Sequence, residues 1–221
     1  MTNSNIKYLR FHPDDNNDFL NRLIDCYRQI FMAEPWNEWK KCPICGKKWG
    51  ISEKKELECR DFKHCGQQVV DFWPKEKVES DIREEIGSSD DFCVIALDNQ
   101  GVVGFCWGYL IPPEKLEKKT ELPGLASTIN ENFGDLALVS YQDEIGVLTQ
   151  YRCQNIGNVL HSKLLDFFRR RGLKVTITRT KSNPPSVAYR WYQRIGYKVI
   201  DEYHDTDGRV ILASTLEELK A

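Results

Sequence analysis

Apolar positions along the chain switch between a two-residue and a helical period. Residues 6–12 predict a short strand. Between residues 14 and 31, Phe19, Leu20, Leu23, Ile24, Tyr27, Ile30 and Phe31 fall on one face of a helix, with Asp14 or Asp15 as its cap. The pattern breaks at Pro35. Residues 40–75 are rich in Lys, Cys and Gly without a helical period, which predicts an inserted module. Residues 75–86 read as a second helix, polar on most faces. Residues 92–97 and 102–110, joined by Asp98-Asn-Gln-Gly101, predict a hairpin. The stretch 111–135 holds Pro112, Pro113 and Pro123 and reads as a loop with some helix, a candidate lid. Residues 136–148 predict a strand. Ile156, Val159, Leu160, Leu164, Phe167 and Phe168 then give a strong helix face, closed by Arg169, Arg170, Arg171 and Gly172, with His161 on its polar, solvated side. A strand at 175–178, a helix at 186–195 and strands at 197–202 and 209–214 follow. This order predicts a mixed α/β fold with parallel and antiparallel strand pairs.

The length of 221 residues suits one domain, 1–221, with 40–75 inserted in it. With 41 % hydrophobic and 29 % charged residues, a globular core is expected. The formal net charge of −2 gives no global attraction to nucleic acid or to an anionic membrane, so neither partner is expected. No apolar run approaches the ~18 residues of a membrane span, and residues 1–7 lack the apolar stretch of a signal peptide. The expectation is a cytoplasmic protein with reduced thiols.

The eight cysteines then need a reading other than disulfides. Cys42-Pro-Ile-Cys45-Gly46 is a knuckle: the spacing places two thiolates on one metal and the glycine permits the tight turn. Cys59 and Cys65-Gly66 supply a second pair. The set resembles a zinc ribbon, a closed tetrahedral four-cysteine site. His64 is the alternative to Cys65 as fourth ligand, and a redox dithiol is the rival chemistry. Some thirty polar residues cannot build their own core, so a structural zinc ion would supply the folding energy.

A further signal lies where the strand ending at Val147 and Leu148 meets the helix starting near Gly157. The turn reads Thr149-Gln-Tyr-Arg152-Cys153-Gln154-Asn155-Ile156-Gly157-Asn158. A strand, a tight turn and a helix N-terminus gather free backbone N–H groups into an anion site. Gly157 admits close approach of a ligand, and Arg152 adds a fixed positive charge.

These residues resemble the coenzyme A turn of the GNAT acetyltransferase superfamily, Arg/Gln-x-x-Gly-x-Gly/Ala. Asn155 stands at its first glycine, a substitution that left-handed dihedrals tolerate. Thr149 stands where the family often has Pro, and Cys153 where it often has Gly. Downstream, Asn183, Ala188, Tyr192, Gly196 and Tyr197 resemble the family's Asn…Ala…Tyr…Gly-Phe segment, with Asn183 two residues early because of Pro184-Pro185.

The resemblance implies the GNAT fold, a mixed and mostly antiparallel central sheet flanked by helices. It implies acetyl-CoA as co-substrate, bound by Val147, Leu148, residues Arg152 to Asn158, and Asn183. It also implies direct attack by a primary amine, of a small molecule or a protein, in a ternary complex. An amine of pKa near ~10 is mostly protonated at neutral pH, so a base is needed. Asp143 and Glu144 precede the turn, and strand alternation points them to opposite faces. Family practice favours Glu144 as base, with Asp143 the close alternative. Tyr192 corresponds to the tyrosine that protonates the leaving thiolate. A backbone N–H at Val147 or Leu148 corresponds to the donor for the thioester oxygen, and Cys153 is not expected to act as a nucleophile. Carboxylates at Glu34, Asp143 and Glu144 favour a cationic acceptor. Trp36, Trp39, Trp49 and Trp73 pack the module onto the main domain or line the acceptor pocket. A homodimer stays open. The alternative is a module that senses acyl-CoA, or grips a partner through its ribbon, without turnover.

Overall fold

The computed structural model describes residues 5–57, 62–88, 90–203 and 208–219. In chain order the elements are β1 (Lys7–Phe11), α1 (Asn17–Phe31), β2 (Lys40–Lys41), β3 (Lys48–Trp49), α2 (Lys54–Leu57), β4 (Lys63–His64), β5 (Gln67–Gln68), β6 (Val70–Asp71), α3 (Lys75–Glu85), β7 (Asp91–Leu97) and β8 (Val102–Ile111). There follow α4 (Pro113–Thr120), α5 (Leu125–Phe133), β9 (Val139–Val147), α6 (Ile156–Arg170), β10 (Val175–Lys181), α7 (Val187–Ile195), β11 (Lys198–Glu202) and β12 (Arg209–Thr215). Seven strands form the main sheet in the order β1-β7-β8-β9-β10-β12-β11. Only β9 and β10 pair in parallel; the other neighbours are antiparallel. No helix among the described residues is long and apolar enough to cross a membrane.

Alternation along β8 sets the layers. Phe105 and Trp107 stack on Tyr27 of α1, with ring centroids 5.8 and 6.0 Å apart. Their neighbours Gly104 and Gly108 face Leu160 and Phe168 of α6 on the other side. Helix α1 buries Leu20, Leu23, Ile24, Cys26, Tyr27, Ile30 and Phe31. Each large apolar side chain so buried contributes about 1.5–3 kcal/mol against the ordering entropy. Its cap is Asn16, whose side chain accepts from the amides of Asp18 and Phe19, rather than Asp14 or Asp15. Asp14 pairs instead with Arg83 of α3 at 3.0 Å.

Residues 111–135, expected as a loop with some helix, are more helical than that. They form two helices whose Leu116, Leu125 and Ile129 pack with Leu122 against Val139, Tyr141, Ile177 and Ile211 in a second core. Pro112 and Pro113 start α4, where a missing N–H costs nothing, instead of breaking it. Helix α6 matches its predicted span, and its last-turn Arg169 donates to the carbonyls of Leu216 and Leu219, fastening the end of the chain.

Candidate active site

The parallel ladder between β9 and β10 runs only from Thr176↔Ser140 to Thr178↔Gln142. Both strands continue, to Val147 and Lys181, without pairing to each other, each held only by its outer neighbour, β8 or β12. The sheet therefore opens into a cleft at their C-terminal ends, beside the start of α6. The amide of Leu148 donates to Val103 O at 3.0 Å. In an antiparallel ladder the next residue's N–H and C=O point the other way. The N–H of Val147 thus faces the cleft, and its carbonyl accepts from Arg152 Nε at 3.2 Å. Of the two amides expected to serve the thioester oxygen, Leu148's is used within the sheet.

A β-bulge overturns the expectation that Asp143 and Glu144 point to opposite faces. Trp107 pairs with Glu144 and Gly108 with Gln142, leaving Asp143 as the extra residue. A Cβ at Gly108 would lie 2.3 Å from Tyr141 O, so the close approach at the bulge requires glycine. Gln142 keeps its side chain on the α6 side, bonded to His161. Asp143 and Glu144 both line a cavity of about 170 Å³ on the α1 side, with Tyr27, Trp73, Glu85, Trp107, Lys119 and Arg179. An adjoining cavity of about 250 Å³ runs from Trp36, Glu38 and Trp73 past Glu144 and Ile145 to Ala188 and Tyr192.

The carboxylates differ in their partners. Asp143 accepts from Tyr109 OH at 2.7 Å and pairs with Lys119 at 3.1 Å. Glu85 accepts from Trp107 Nε1 at 2.9 Å and from the same Lys119 at 3.1 Å. Burial and the charge of Asp143 push Glu85 up to about 7. Burial lowers Lys119, but Asp143 and Glu85 outweigh it and hold the ammonium above its usual range. Glu144 is pushed well above the carboxylate range, by burial first and by Asp143 and Glu85 next, against the pull of Arg179. Glu85 was not singled out from the sequence. Its signal is the spacing Val78, Ile82, Glu85, which puts it on the one buried stripe of α3.

Tyr192 is 2 % exposed, and its hydroxyl accepts from Gln142 Nε2 at 2.6 Å. Burial drives its pKa well up, so it keeps its proton. Gln142 Oε1 lies 2.7 Å from His161 Nδ1. His161 is 4 % exposed, which corrects its expected place on a solvated face. Leu160, Leu164, Leu165 and Phe168 surround its position on the buried side of α6.

In the turn, Cys153 and Asn155 take left-handed φ of 62° and 64°, the conformations in which the resembled motif uses glycine. Asn155 caps α6 without a side-chain bond to its amides; its Oδ1 accepts from Asn158 Nδ2. Asn158 Oδ1 in turn accepts from Trp191 Nε1 at 2.7 Å. The first-turn amides of Ile156, Gly157 and Asn158 have no helical carbonyl before them. A Cβ at Gly157 would meet nothing nearer than Val147 Cγ2 at 4.0 Å, so the turn has an open cradle. Gln154 and Cys153 are exposed beside it. Asn183 is exposed, its backbone N–H bonds to Gly208 O at 3.3 Å, and it lines neither cavity. Glu34, too, is not among the residues lining either cavity.

In the module, the sulfur atoms of Cys42, Cys45 and Cys65 lie within 4.8 Å of one another. Tetrahedral zinc–thiolate geometry needs sulfurs about 3.8 Å apart, so the three donors fit such an ion. The amide of Ile44 points at Cys42 Sγ, 3.4 Å away. Gly46 has φ of 72°, the tight turn expected after the first knuckle, and Gly66, after Cys65, has φ of 75°. His64 stacks its ring edge-on against Trp49 instead of joining the cluster. Cys59 lies outside the described residues.

Comparison with known proteins follows the same line. No curated protein sequence matches the chain. Among solved structures, the PaiA N-acetyltransferase of Thermoplasma acidophilum in complex with coenzyme A aligns with TM-score 0.55 and 14 % identity, over 95 % of this chain and 98 % of that one. Arabidopsis thaliana NAA60 in complex with acetyl-CoA aligns with TM-score 0.56 and 14 % identity, over 96 % and 99 %. Aminoglycoside 6'-acetyltransferase type Ii gives 0.56 and 14 %, over 95 % and 97 %. At such identities the likeness concerns the fold. The family model "Acetyltransferase (GNAT) family" matches residues 55–197, more than half of the sequence. The chain therefore belongs to the GNAT family of acetyltransferases.

Proposed function

We propose that the protein is an N-acetyltransferase that moves the acetyl group of acetyl-CoA directly to a primary amine in a ternary complex. The observation that carries this reading is the opening between β9 and β10, with Glu144 and Tyr192 lining one cavity there. Coenzyme A and acetyl-CoA in the complexes of PaiA and NAA60 support the choice of donor.

The turn from Arg152 to Asn158 takes the pyrophosphate on its free amides and the Arg152 guanidinium. The Val147 N–H donates to the thioester oxygen as charge develops there. Glu144 accepts a proton from the bound ammonium, which frees the lone pair of the amine that attacks. Its raised pKa brings it toward the working range of a general base, whereas Asp143 is already held by Tyr109 and Lys119. Attack by the neutral amine forms the C–N bond, the C–S bond breaks, and Tyr192 gives its proton to the departing thiolate; the proton that the nitrogen loses in becoming an amide balances it and returns through solvent to the tyrosine. Acidic and aromatic walls suit a cationic amine, free or on a protein. A zinc ion bound by Cys42, Cys45 and Cys65, with Cys59 the fourth ligand expected from the sequence, would supply structure to the module and take no part in transfer.

The test is thiol release from acetyl-CoA over an amine panel, with Glu144→Gln alongside. Release that Glu144→Gln lowers by about 10²–10⁴-fold supports the reading. Binding of acetyl-CoA without release to any amine would favour the sensing module.

A further inference from the structure

The cleft has a second wall, and the cysteine module supplies it. Trp73 lines both cavities, and Trp36 and Glu38 line the larger one. The positions of Trp73 and Glu38 are fixed from inside the module. Asp71 of β6 pairs with Lys40 of β2 at 2.6 Å and with Arg28 of α1 at 3.1 Å, while Arg28 Nε donates to Trp73 O at 2.8 Å. Glu38, 7 % exposed, accepts from Trp73 Nε1 at 2.8 Å and from Lys48 of β3 at 2.9 Å. The amides of Trp39 and Phe72 donate to Trp49 O and Trp39 O.

The strands that carry these contacts are two residues long each. Strands so short do not persist without support. The apolar core beneath them is Cys42 and Trp49 with Trp39, Phe62 and Val69 against it, far too little to order some thirty residues. Beside the short β2–β6 ladder and the packing of Phe62 and His64 on Trp49, the two hairpins are joined by the sulfur cluster. Cys42 and Cys45 sit between β2 and β3, and Cys65 sits between β4 and β5, just before β6. Cys42 Sγ also lies 3.5 Å from His64 O.

We propose that a zinc ion held by Cys42, Cys45 and Cys65 builds the amine-side wall through Asp71, Glu38 and Trp73, so that metal occupancy sets the KM for the amine and leaves the donor site alone. The donor side is formed by β9, the α6 turn and α7, all outside the module. The inference rests on the transferase reading above.

The experiment uses the full chain, purified with zinc and then stripped by chelation under reducing conditions, with Asp71→Ala as a variant that keeps every cysteine. Zinc content, amide hydrogen exchange, acetyl-CoA affinity by calorimetry and thiol release with spermidine are measured on each. Expected are one zinc per chain, faster exchange at Trp39 and Phe72 on stripping, and a spermidine KM raised about tenfold, the scale of one lost charge-assisted hydrogen bond. Acetyl-CoA affinity should change by less than about twofold. Asp71→Ala should keep its zinc and raise the same KM. The inference is overturned by a chain that binds no zinc, by unchanged exchange at Trp39 and Phe72 after stripping, by donor affinity falling as far as amine affinity, or by an unchanged KM in Asp71→Ala. If no amine releases thiol, the transferase reading fails by itself, and zinc content with exchange still decides whether metal holds the wall.

Discussion

His161 ties stability to pH in a way that can be worked out from its surroundings. Burial, and then the positive charge of Arg169, pull its pKa down to about 3. In the unfolded chain it titrates near ~6.5. Between those values the unfolded chain binds a proton that the folded chain refuses, so stability falls as pH falls. The whole window is worth roughly 5 kcal/mol, and the part between pH 7 and pH 5 roughly 2 kcal/mol. The perturbation is His161→Gln, which stays neutral throughout and keeps an amide near Gln142. The assay is urea unfolding at both pH values for both proteins. The carboxylates with raised pKa, Glu85 and Glu144, bias stability the opposite way, but they are common to both and cancel in the difference. The native protein should lose roughly 2 kcal/mol more than the variant on going to pH 5. Equal losses, or a His161 ring that titrates near its ordinary value by NMR, would refute the reasoning.

Three further outcomes follow from the site. If Glu144 is the base, kcat/KM rises with pH on a limb set by a pKa above the ordinary carboxylate range, and Glu144→Gln flattens that limb; a limb unchanged in the variant would move the role to Glu85 or Asp143. Gly108→Ala pushes a methyl group to 2.3 Å from Tyr141 O, so it should cost more than about 2 kcal/mol in denaturant unfolding and lower activity by displacing the bulge at Asp143. Cys153→Gly relieves a left-handed residue and should gain up to about 1 kcal/mol, read as a Tm higher by roughly 2–4 °C.

Much of this was legible in the sequence, and the misses share a physical cause. Helices α1 and α6 and the hairpin at Asp98 announced themselves because one apolar face, or one turn chemistry, decides them locally. The cleft did not, because it depends on a ladder that ends early and on one extra residue in β9. Strict alternation separates Asp143 from Glu144; the bulge, admitted by Gly108, puts them together. Prolines at 112 and 113 looked like loop residues, yet at a helix start they lose no hydrogen bond. The apolar pattern puts His161 on the polar side of α6, yet its position shares the face of Leu164, Leu165 and Phe168, and it is buried. The motif turn was read most directly: Asn155 adopts the left-handed conformation that its place in the motif implied.

The central claim is that the turn at 152–158 holds the donor, and Gly157→Val tests it most directly. Apart from its chain neighbours and the backbone of its own helix, a Cβ there meets no atom closer than 4.0 Å, so the fold should keep its Tm. The same carbons would fill the cradle. The account predicts acetyl-CoA affinity, measured by calorimetry, reduced at least about a hundredfold in a fully folded variant. Undiminished binding in that variant would contradict it.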